Sequence, residues 1–148
     1  MSYSDFSHAS FAAPAPFEFS PSDFNPAEAN FVILYVQDPP ASADFYSVLL
    51  GRPVVERAPT FAMLPLSRGV MLGLWSKHTV EPAAQATGGG AELAITVPSA
   101  DAMRATHADW SARKLKIAQA PTEMDFGTTF VALDPDGHRI RVFAPGEA

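Results

Sequence analysis

The chain has 148 residues, 47% of them hydrophobic, no cysteine, and a formal net charge of −6 at pH 7. That apolar content suffices for one compact domain with a core, while the acidic balance and scattered Lys and Arg exclude nucleic acid as the expected partner. Without cysteine there is no disulfide framework or thiol nucleophile, which fits a cytoplasmic setting. No apolar run reaches the ~18 residues of a membrane helix, and the N-terminus lacks the pattern of a signal peptide, so no membrane partner is expected.

Residues 1–29 form an extension rich in Ser, Ala, Pro and Phe, where Pro14, Pro16, Pro21 and Pro26 break any helix. Its phenylalanines, Phe6, Phe11, Phe17, Phe19 and Phe24, are too many for an ordinary solvated tail. They predict either a tail docked on its own domain or an arm reaching across a dimer.

Residues 30–148 form the domain proper. Phe31-Val-Ile-Leu-Tyr-Val36 reads as a buried strand. Asp38-Pro39-Pro40 then opens a helix over Ala41 to Leu50, and Gly51 closes it. Phe61 to Trp75 reads as a hairpin, with two apolar runs parted by a polar break ending at Gly69. Residues 77–90, with three consecutive glycines, read as a linker, because glycine is costly to order. Ala91 to Val97 repeats the first strand, and Pro98-Ser99 opens a helix over Ala100 to Leu115. Thr128 to Phe143 is a second hairpin about Asp134-Pro135-Asp136-Gly137, whose residues suit a tight turn. Strand, helix, strand and hairpin thus occur twice, as an α+β fold of two βαβββ modules over 30–76 and 91–145.

These paired units, the DFYSVLLG helix (Asp44 to Gly51) and the DFG-x₂-F-x₃-DPDGH run (Asp125 to His138) resemble the glyoxalase and bleomycin-resistance proteins, the vicinal oxygen chelate superfamily. Within it, LGLWS (Leu72 to Ser76) and DPDGHRIRV (Asp134 to Val142) are similar to the phenazine antibiotic resistance proteins. The resemblance implies a curved mixed sheet around a cavity, commonly completed by a second chain, and hence a homodimer.

Strand parity assigns the faces. Val32, Leu34 and Val36 take the helix side, leaving Phe31, Ile33 and Tyr35 toward the cavity. Met71, Gly73 and Trp75 face it as well, as do Glu92, Ala94 and Thr96, and Arg139, Arg141 and Phe143. Metal-dependent members of the superfamily hold an ion with four inward His and Glu ligands, and the resemblance places those positions on Phe31, Gly73, Glu92 and Arg141. Only Glu92 is a ligand type, and an arginine beside it opposes a cation, so neither metal nor cofactor is expected. Glu92 and Arg141 can instead pair across the cavity, which makes Glu92 a partner rather than a base.

His8, His78, His107 and His138 share no metal-ligand spacing. His138 is expected to cap the core or bond the hairpin turn, and His107 to lie on a solvated helix face. Elbow, phosphate-loop and kinase patterns are missing, so no catalytic residue is assigned. Aromatic recognition remains. The resemblance makes Trp75 a stacking platform, with Gly73 leaving room for a flat ring, Tyr35, Phe31, Phe61 and Met71 as walls, and Phe126 covering the ligand. Trp110 falls on a helical stripe with Met103 and Thr106, which favours the core. The expected role is metal-independent sequestration of a planar hydrophobic or aromatic small molecule, in the manner of antibiotic resistance. The alternative is a metal-free enzyme of the superfamily using Glu92 and Arg141.

Overall fold

The computed structural model describes residues 28–146. The expectations for the tail phenylalanines Phe6 to Phe24 lie outside the described residues. The chain divides between Ala86 and Thr87 into two units, each built in the same order.

In the first unit, β1 (Phe31–Val36) leads into α1 (Pro39–Leu50), followed by β2 (Glu56–Arg57), β3 (Phe61–Ser67) and β4 (Val70–Ser76). Asp38 starts α1: its carboxylate accepts the Ala41 amide at 3.2 Å, and the prolines behind it donate no hydrogen bond where none is needed. Gly51, at φ 67°, stops it. Strand order is β1-β4-β3-β2, with β1 parallel to β4 and the remaining pairs antiparallel. β2 is only two residues long because Pro53 and Pro59 flank it and proline cannot donate to a ladder. Val36, Ala62, Leu64, Leu72 and Leu74 are buried with Ala43 and Tyr46 of α1.

The second unit repeats this plan with β5 (Glu92–Thr96), α2 (Ala100–Ala112), β6 (Lys116–Met124), β7 (Gly127–Leu133) and β8 (Arg139–Pro145), ordered β5-β8-β7-β6. Ser99 caps α2 by accepting the Ala102 amide at 3.0 Å. Met103 and Trp110 of α2 are buried, as are Phe130, Ala132, Ile140 and Val142 of the sheet, and Trp110 meets Phe130 edge-on at 5.5 Å. The helical stripe of Met103 and Trp110 is therefore core. Each unit is a helix on a four-stranded mixed sheet, an α+β arrangement.

Two local expectations are corrected. α2 ends at Ala112, not Leu115, because Lys114 takes a left-handed φ of 71°. The Lys114 amide then bonds the Ser111 carbonyl at 3.0 Å and the Leu115 amide the Trp110 carbonyl at 3.1 Å, the double closure that normally uses glycine. His107 is half-buried, its ring edge-on to Phe130 at 5.2 Å, so it packs against the core instead of facing solvent. His138 is buried and ties the turn as expected: its amide bonds the Asp134 carboxylate at 2.8 Å, and its carbonyl accepts the Asp134 amide at 3.0 Å. No helix among the described residues is long and apolar enough to cross a membrane.

Candidate functional site

The face of the first sheet away from α1 is set by register. Tyr35 lies opposite Trp75 and Trp75 opposite Phe61; Ile33 lies opposite Gly73 and Gly73 opposite Met63; Phe31 lies opposite Met71 and Met71 opposite Pro65. Cross-strand neighbours on one face sit within side-chain reach, so these residues form a continuous apolar surface with an aromatic row along one end. Trp75 and Phe61 pack edge-on, 6.3 Å between ring centres and 83° between planes. Trp75, Tyr35, Phe61 and Phe31 are all half-buried.

Gly73 does not leave a vacant slot for a flat ring. A Cβ there would lie 3.0 Å from Cζ of Phe61 and 3.4 Å from Cγ1 of Ile33, so the ring of Phe61 already fills the space over the glycine. Gly73 seats Phe61, and Phe61 in turn meets Trp75. Met71 lies on this face but is only 1% exposed, so it is not an accessible wall.

On the second sheet, one residue from each strand converges. Arg141 of β8 grips Glu92 of β5 in a fork, Nε to Oε1 at 2.7 Å and Nη2 to Oε2 at 2.9 Å. Its Nη1 donates to Gln119 of β6 and to the Thr129 hydroxyl of β7, each at 3.2 Å. The buried Thr129 hydroxyl in turn donates to the Val142 carbonyl at 2.9 Å. Arg139 stands at the rim, its Nη1 3.6 Å from Glu92. The fork to Arg141, helped by Arg139, holds the Glu92 carboxyl below its ordinary value of 4.5 against a smaller opposing push from burial, and the same bond raises Arg141. A hollow of about 260 Å³ opens here, lined by Ala118, Gln119, Val131, Arg139 and Arg141.

Phe126 sits in the turn between β6 and β7, 45% exposed. Its ring is edge-on to Phe143 at 5.8 Å and lies 5.9 Å from the Arg141 guanidinium carbon. The turn holds this place because Gly127, at φ 141°, passes so close to β8 that a Cβ would meet the Ala144 carbonyl oxygen at 2.0 Å. The structure thus brings Trp75, Gly73, Tyr35, Phe31, Phe61 and Met71 together on the first sheet, and Glu92, Arg141 and Phe126 together on the second.

Gln119 and Thr129 belong to the second cluster but are missing from the sequence-derived set. A bulge between Ile117 and Gln119 resets the parity of β6, and nothing in the residue pattern marks it.

The four family metal positions do not fit a metal. Phe31 and Gly73 offer no donor, Arg141 is a cation, and both oxygens of Glu92 are taken by Arg141. Among the described residues no group of three or more His, Cys, Asp or Glu is placed to hold an ion.

The chain belongs to the Glyoxalase/Bleomycin resistance protein/Dioxygenase superfamily, whose family model matches residues 28–142. It is 29% identical over 116 residues to the phenazine antibiotic resistance protein EhpR of Enterobacter agglomerans, covering 76% of this chain and 88% of that one. A protein of Agrobacterium tumefaciens solved in solution by NMR is 49% identical, with a TM-score of 0.72 over 81% of this chain and 98% of its own. A glyoxalase/bleomycin resistance protein/dioxygenase from Nocardioides shares the fold at 22% identity, with a TM-score of 0.70 over 84% and 87% of the two chains.

Proposed function

We propose that this protein binds a planar hydrophobic or aromatic small molecule without a metal ion, and that sequestration of such a molecule is its role. One observation carries the reading: Trp75 stands half-buried in a row with Tyr35 and Phe61 on an apolar sheet face. A rigid indole in that setting offers a flat ligand a large π-face, worth ~1 kcal/mol beyond the area buried. The likeness to an antibiotic resistance protein supports a resistance or binding role. The state of Glu92 supports binding over acid–base catalysis. A carboxylate gripped at both oxygens and held in its charged form is a weak proton acceptor.

The test uses tryptophan fluorescence in a Trp110→Phe background, which leaves Trp75 as the one emitter of the two tryptophans. A planar aromatic compound is expected to quench it on binding, and Trp75→Ala, followed by calorimetry in the otherwise unaltered chain, to abolish affinity at modest cost in stability. Trp110→Ala, by contrast, removes a core side chain and is expected to cost ~3–5 kcal/mol. Binding that survives Trp75→Ala, with a loss of stability as large as that of Trp110→Ala, would overturn the stacking role.

A further inference from the structure

The second unit carries a charge arrangement that stacking does not use. Arg141 has each of its three side-chain nitrogens engaged: Nε and Nη2 go to Glu92, and Nη1 to Gln119 and Thr129. Arg139 differs. Among the described residues its one ion pair is the 3.6 Å approach to the Glu92 oxygen that Arg141 already holds at 2.9 Å, and 49% of its side chain is exposed at the rim of the hollow. Register adds a third cation to the same face, because Lys116 pairs with Leu133, Leu133 with Arg139, and Arg139 with Glu92. Lys116, Arg139 and Arg141 thus share a row and its neighbour with a single carboxylate. This local surplus of positive charge stands against a chain of net charge −6, which otherwise repels anions.

The geometry points to a carboxylate-binding site: the second unit takes the carboxylate of a small organic acid on Arg139, flanked by Lys116, while Arg141 stays paired with Glu92. A guanidinium presents paired donors that match the two oxygens of a carboxylate. A phosphate dianion suits the place less well, because it would bring two negative charges beside Glu92. The hollow of about 260 Å³ sets the scale of the acid at one or two fused rings. Arg141 then acts as a positioning residue, holding both Glu92 oxygens and offsetting their charge beside the incoming anion. The inference stands on the second unit's charges alone, separately from the stacking at Trp75.

The test titrates the full chain, carrying Trp110→Phe, with 2-naphthoate and, in parallel, with neutral 2-naphthamide, reading the arginine Nε–H signals by NMR and Trp75 by fluorescence. Naphthoate is expected to shift the Arg139 Nε–H signal and to bind about tenfold tighter than the amide, as a charge-assisted bond allows. Arg139→Gln should bring that ratio to near one, Arg139→Lys should keep part of it, and added salt should lower it. An Arg139 signal unmoved by millimolar naphthoate, or equal binding of acid and amide, overturns the inference. If the amide nevertheless quenches Trp75, stacking survives alone. A shifted Arg139 with no quench leaves the carboxylate site standing and shows that naphthoate binds there without stacking on Trp75.

Discussion

Glu92 keeps its charge because Arg141 grips both of its oxygens, and this makes the pair's contribution to stability depend on pH in a definite direction. A carboxyl whose folded value lies below its ordinary 4.5 binds protons more readily when unfolded. The stabilisation is therefore fully present above 4.5 and is lost as pH falls through the lower folded value. The side chains of Glu92 and Arg141 remain 28% and 19% exposed, so water screens the pair and the effect is at most about 1 kcal/mol. Denaturant midpoints of the wild type and Glu92→Gln should differ most at pH 7 and converge in acid well below 4.5. A difference that stays constant across that range would mean that Glu92 contributes by packing instead of by charge.

At the scale of elements, the aromatic surface depends on how β3 fits β4. The Phe61 ring of β3 lies over Gly73 of β4, so a single methyl at position 73 must push against Cζ and Cε1 of that ring, 3.0 and 3.2 Å from the new Cβ. Gly73→Ala is expected to cost ~1 kcal/mol by overpacking and to alter Trp75 emission, since the displaced ring is the indole's edge-on neighbour. In a Phe61→Leu background, which lacks those ring atoms, the cost should fall to near zero. An equal cost in both backgrounds would show that the strain lies in the backbone of β4.

The same elements show what the residue pattern could carry. α1 is legible at both ends because Asp38 and Gly51 are chemical start and stop signals. α2 is legible only at Ser99, since its stop is a lysine forced into a glycine's conformation by the bonds that close the helix. Parity placed Tyr35, Trp75 and Phe31 on one face, and the register agrees because β1 and β4 pair without a bulge. It could not place Gln119, which lies beyond the break in β6. Nor could it foresee that Phe61 occupies the space over Gly73, because which side chain fills a gap is decided by packing between strands.

At the scale of the whole molecule, the proposed ligand needs more than one surface. Trp75 covers only one face of a stacked ring, whereas small-molecule sites usually enclose 70–90% of their ligand. The superfamily commonly completes its cavity with a second chain, so a homodimer is the proposed cover, and binding should then be linked to assembly. Light scattering at micromolar concentration is expected to give a dimer, and dilution below the dimer's dissociation constant should weaken ligand affinity in step. A monomer that binds at full affinity would overturn the proposal. Deleting Met1 to Phe24 adds a further arm: it should weaken the dimer only if the phenylalanine-rich extension reaches across to the other chain. The same sample can be assayed for metal, because a shared site could draw donors from both copies. Elemental analysis is expected to find less than stoichiometric Zn, Ni, Fe or Mn. One metal per chain, lost on Glu92→Ala, would restore Glu92 as a ligand and require Arg141 to release it.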